Sequence, residues 1–127
     1  MADAQVSART VLARALLAEG KPARAREEID SAAGLAAKSQ NREVRLRFAV
    51  TAARVHEDST SLGAALAESA KYHLLGVEFE ARLALGEIEI KTGRSATGRA
   101  PLGALEKDAT ARGFMLIARN ARAASGR

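Results

Sequence analysis

Residues 12–32 read L-A-R-A-L-L-A-E-G-K-P-A-R-A-R-E-E-I-D-S-A, and the chain comes close to repeating them further on. A displacement of 73 positions lays Leu12 on Leu85, Ala13 on Gly86, Leu17 on Ile90, Gly20 on Gly93 and Lys21 on Arg94. It also carries Ala23 to Ala96, Ala25 to Gly98, Ile29 to Leu102 and Ala32 to Leu105. Half of that displacement is about 36 residues, so a third copy fits between the two. A period in the thirties with small residues at fixed places is the signature of stacked helical hairpins, each burying its apolar face on the next. Such arrays present curved binding surfaces, and the expectation is a protein that binds rather than one that catalyses.

Composition points the same way. At 127 residues the chain has room for one domain, 1–127, with a modest core. Apolar residues supply 47%, but aromatics only 3% and tryptophan none, while alanine makes up about a quarter. A core poor in large side chains has to be built from close helix contacts, and alanine is the strongest intrinsic helix former. Pro22 and Pro101 are the only prolines. The fold class expected is all-α.

The absence of cysteine excludes disulfides and thiolate metal sites. No apolar run reaches the length of a membrane span, and Asp3, Gln5 and Arg9 interrupt the start. No membrane association and a cytoplasmic location are therefore expected. The net charge of +5 comes from 20 basic and 15 acidic residues that are interspersed, a pattern of solvated helix faces more than of a nucleic-acid patch.

Seven helices are expected. The first runs from about Asp3 to Glu19, with Val6, Ala13, Leu16 and Leu17 as its apolar stripe, and Gly20 ends it. Pro22 opens the second, to Lys38, with Ala25, Ile29 and Ala32 at helical spacing. Asn41 caps the third, which carries Val44, Leu46, Phe48, Val50, Ala53 and Val55. After the polar break Asp58–Ser61 the fourth uses Leu62, Ala65, Leu66, Ala70 and Leu74 and stops near Gly76. The fifth spans about Val77 to Thr92. The sixth runs from Arg99 or Ala100 to Arg112, which keeps Pro101 in its first turn. A last helix follows Gly113. The hairpins are thus about 3–38, 42–75 and 77–112, with a closing helix at about 114–124.

These residues resemble the tetratricopeptide repeat. The family places a large residue followed by Gly or Ala on the first helix, here Leu12-Ala13 and Leu85-Gly86, and a second small residue about twelve positions later, here Ala25 and Gly98. A turn glycine lies between, Gly20 and Gly93, and a third small residue is matched by Ala32 but replaced by Leu105. The middle copy lacks the turn glycine and has Glu57 to Ser59 there. The closing segment 109–121 is similar to the last helix of repeat arrays in large bacterial signalling and regulatory proteins.

The resemblance implies antiparallel hairpins stacked in a right-handed superhelix, whose concave groove is lined by the first helix of each pair. Carried over, the groove positions are Ser7, Thr10, Arg14 and Leu17 in the first copy and Glu80, Leu83, Glu87 and Ile90 in the third. Arg47, Val50, Thr51 and Arg54 are the candidates in the middle one. Arginine forks suit carboxylates, so the implied partner is a protein or peptide, an acidic one for the first half. The Lys/Asn set of a carboxylate clamp is not present at the matching positions, and the arginines could equally solvate an exposed face. The function implied is a non-catalytic protein–protein interaction module. The alternatives are self-association, with Phe114, Met115, Leu116 and Ile117 as the adhesive surface of a homodimer, and a small-ligand sensory domain of a transcriptional regulator.

Other patterns carry less. Gly93 to Gly98 has the spacing of a phosphate loop, but Arg99 and Ala100 stand where Lys and Ser or Thr are required, so a hairpin turn is the better reading. His56 and His73 have no histidine or carboxylate at metal-ligand spacing, and the glutamates 78, 80, 87 and 89 lack the Glu-x-x-His pattern of di-metal bundles. No catalytic set, cofactor or metal is expected. Lys107 to Arg127 holds five basic residues and one acidic, which fits the polar outer face of a terminal helix better than direct nucleic-acid binding.

Overall fold

The computed structural model describes residues 2–126, with every side chain among them except those of Ser95 and Ala96. The Ala23–Ala96 correspondence and the serine of the Gly93–Gly98 segment therefore lie outside the described side chains, as does Arg127. The described residues form seven α-helices and no strand: α1 (Ala2–Ala18), α2 (Pro22–Lys38), α3 (Arg42–His56), α4 (Ser59–Lys71), α5 (Leu75–Lys91), α6 (Ser95–Ala111) and α7 (Met115–Ala124). The all-α expectation is met. None of these helices is long and apolar enough to cross a membrane.

Five of the six turns between the described helices share one device, the exception being residues 39–41 between α2 and α3. At Gly20, Glu57, His73, Gly93 and Gly113 the backbone enters the left-handed region, and the amide of the next residue returns to a carbonyl five positions back. Lys21 donates to Leu16 at 2.8 Å, Asp58 to Ala53 at 2.8 Å and Arg94 to Glu89 at 2.8 Å. This is the Schellman closure, which satisfies carbonyls that a helix end leaves without donors. Glycine enters this conformation without penalty, whereas Glu57 (φ 53°) and His73 (φ 57°) do so against the clash of their Cβ.

Three expected boundaries are corrected. His73 ends α4 ahead of Gly76, so Gly76 falls in the first turn of α5 instead of stopping α4. Asp58 starts α4 earlier than Leu62, because its Oδ1 accepts from the Ser61 amide at 3.1 Å and its Oδ2 from the Ser61 hydroxyl at 2.6 Å. The sixth helix also starts sooner, at Ser95, with the Gly98 amide already donating to Arg94 at 2.9 Å. Pro101 thus sits past the first turn, inside α6, and the Thr97 carbonyl lacks its helical donor. Asn41 caps α3 as expected, accepting from Val44 at 3.1 Å.

The chain divides into two compact units, Met1–Ser61 and Leu62–Arg127. In the first, α1, α2 and α3 pack on one another around Val6, Ala13, Leu16, Ile29, Ala32, Ala36 and Phe48. Ser39 at the end of α2 donates to Asp3 at 2.7 Å, tying that end to the start of α1. In the second, α5, α6 and α7 pack around Phe79, Leu83, Leu102, Leu105, Ala109, Ile117 and Ala121. The 73-residue displacement maps one core onto the other. Val6 goes to Phe79, Ile29 to Leu102, Ala32 to Leu105, Ala36 to Ala109, Val44 to Ile117 and Phe48 to Ala121. The closing helix α7 is therefore the counterpart of α3.

Gly86 and Gly98 show why small residues recur. A methyl on Gly86 would overlap Leu102, and one on Gly98 would lie 3.2 Å from the Gly86 carbonyl oxygen. Ala13 and Ala25, their counterparts, are fully buried.

Candidate interaction surface

The turns settle the register of the middle copy. Glu57 lies 37 residues after Gly20 and 36 before Gly93. By sequence register Thr10, Arg47 and Leu83 then share one repeat position, Arg14, Thr51 and Glu87 a second, and Leu17, Arg54 and Ile90 a third. Val50 falls at the position of Ala13 and Gly86, the close-packing position, and is 3% exposed. Thr51, at the repeat position of Arg14 and Glu87, is itself buried and offers no exposed surface.

Four of the groove candidates are packing residues, Thr51 among them at 3% exposed. Thr10 is buried and its hydroxyl donates to the Val6 carbonyl at 2.8 Å. Leu83 belongs to the α5–α7 core, and Val50 is buried as stated. Ile90 and Leu17 are half-buried against the cores of their own units. Ser7 is exposed, while Arg14, Arg47, Arg54 and Glu87 are half-buried. In the first unit α1 and α3 are packed side by side, so Arg14 stands on one of two adjacent helices and Arg47 and Arg54 on the other. Arg47 is held by Glu43 at 2.9 Å, one helical turn earlier. On the flank of α1 turned to α2, Arg9 bonds Glu28 at 2.9 Å and the Ser31 hydroxyl at 3.0 Å.

The second unit carries a cleft of about 450 Å³ that sequence reasoning did not anticipate. Leu66 and Ala70 of α4 form one wall and Pro101 of α6 another. The floor is α5, with Leu85 and Gly86 flanked by Glu78, Arg82 and Glu89. Arg82 pairs with Asp108 at 2.9 Å and lies over the Phe79 ring, 5.6 Å from its centroid. Glu78 and Glu89 make no ion pair or side-chain hydrogen bond among the described residues. The signal available in sequence was their spacing: eleven residues bring a helix back to nearly the same face.

The described residues contain no group of three or more His, Asp or Glu side chains that could hold a metal. His56 faces Asp30 at 3.4 Å, and His73 occupies a turn. The Gly93–Gly98 segment is a helix end followed by a helix start, with Gly98 spent on the approach to α5. Of the proposed adhesive surface, Phe114 is packed edge-on against Phe79 (5.2 Å, 87°) and Ile117 is buried, while Met115 and Leu116 are 56% and 63% exposed. No protein-family model, curated protein or solved structure matches the chain.

Proposed function

We propose that this chain is a tetratricopeptide-like, non-catalytic protein-interaction module of the kind built into bacterial signalling and regulatory proteins. Its working surface is the α1/α3 side of the first unit, and its partner is an acidic peptide or an acidic protein C-terminus. The observation that carries this reading is the direct packing of α1 on α3, which places Arg14 on a helix adjacent to the one bearing Arg47 and Arg54. Arginine forks on pre-organised helices bind carboxylates with little ordering cost.

The test is a fluorescence-anisotropy titration with a labelled Asp/Glu-rich peptide ending in a free carboxylate. Saturable binding that weakens as salt rises, and roughly tenfold or more in the Arg14→Glu/Arg54→Glu variant, is the expected result. Binding unaffected by the double charge reversal would overturn it.

One observation favours self-association as a second reading. On α1, Ala4, Ala8, Val11 and Leu12 are all exposed, Val11 at 62% and Leu12 at 42%. Their counterparts 73 residues on are Val77, Ala81, Ala84 and Leu85, and the first three are at most 1% exposed. A face that is buried in one copy and bare in the other suits a second copy of the chain. Light scattering over a concentration series distinguishes the readings. A dimer converted to monomer by Val11→Glu would support self-association, and a constant mass near 13.3 kDa would remove it.

A further inference from the structure

We propose that the cleft of the second unit binds an elongated organic cation with an apolar body and an ammonium group at each end. Its volume, about 450 Å³, falls in the range of small-molecule sites. Apart from Arg82, the stretch of the cleft between Glu78 and Glu89 is lined by apolar side chains and backbone, from Leu66, Ala70, Leu85 and Gly86. Its two carboxylates stand toward the ends, and the one cation between them, Arg82, is paired with Asp108. Glu78 and Glu89 are eleven residues apart on α5, which places them about 16 Å apart along the axis and on nearly the same face.

The charge balance selects the ligand. Arg82, four residues on from Glu78, is engaged by Asp108 and by the Phe79 ring. Glu78 and Glu89 are half-buried and have no ion partner among the described residues. The cleft thus keeps two unpaired carboxylates in a chain of net charge +5. Beside an apolar wall a carboxylate attracts a cation more strongly than it does in open water, because less solvent screens the pair. A single metal ion could not reach both groups. A ligand with charges along its whole length would have to strip water from its central cations without a partner to replace it, which is costly. An apolar chain with a cation at each end meets both conditions.

The experiment is calorimetric titration of the full chain with 1,12-diaminododecane, with amide chemical shifts recorded in parallel. Dodecylamine and spermine serve as ligands lacking one end charge or the apolar body. Saturable binding is expected, with shifts on α4, α5 and the start of α6, and affinity roughly five- to tenfold lower for each control ligand and for Glu78→Gln or Glu89→Gln. Glu80→Gln, on another face of α5, should bind as the parent does. Circular dichroism of each variant confirms that the helices are retained. No saturable binding, equal affinity for dodecylamine, or unchanged affinity in both glutamine variants would each overturn the proposal. This outcome is independent of the acidic-peptide titration, which probes the other unit.

Discussion

Gly86 lies so close to Leu102 that a methyl group added to it would overlap the leucine side chain. Leu102 is fully buried in the α5–α7 core, so it has no open space into which to swing. Gly86→Ala should therefore destabilise the protein by about 1–3 kcal/mol, in spite of alanine's better helix propensity. Gly34 supplies the control. It lies inside α2, where an added methyl group would have nothing within 4 Å, and Gly34→Ala should stabilise by about 1 kcal/mol. Urea unfolding midpoints of the two variants should move in opposite directions.

His73 adopts at φ 57° the turn conformation that glycine adopts at Gly93 and Gly113. Replacing it with glycine removes the Cβ clash, and His73→Gly should raise stability by about 1 kcal/mol. Gly93→Ala imposes the clash and should lower stability by a similar amount. Thermal unfolding by circular dichroism reads both. Equal effects of the same sign would contradict the assignment of these turns.

Asp58 supplies the pH dependence. Its carboxylate accepts from the Ser61 hydroxyl and from the Ser61 amide, which together hold its pKa below the ordinary value. A depressed folded-state pKa stabilises the fold above the unfolded-state value, and that contribution disappears as pH falls through the folded value. Asp58→Asn keeps an acceptor at the start of α4 but cannot ionise. The difference in unfolding midpoint between parent and variant should be constant near neutral pH and shrink steadily below about pH 4.

Much of this architecture was legible because alanine and glycine mark its close contacts. Leu12–Ala32 and its counterpart gave the period, and the same displacement turns out to relate the two cores, even where Val6 becomes Phe79 and Phe48 becomes Ala121. What could not be read was any feature in which a residue acts against its type. Glu57 and His73 take the glycine conformation, so the middle turn and the end of α4 carried no glycine signal. Pro101 lies inside α6, where helix propensity argues against it, because Gly93 and Arg94 had already set the helix start. Among the surface candidates, Arg14, Arg47 and Arg54 share one unit. Thr10, Val50, Thr51 and Leu83 turned out to be packing residues, because neighbouring positions on a helix alternate between surface and core over a single turn. The cleft beside Leu85 depends on helices brought together by folding, and only the Glu78–Glu89 spacing hinted at it.

The most direct test of the interaction surface is chemical-shift mapping of the full chain with an acidic peptide carrying a free C-terminal carboxylate. The account predicts saturable shifts at amides of α1 and α3, centred on Arg14, Arg47 and Arg54. Shifts confined to α5, α6 and α7, or no saturable shift at all, would contradict it.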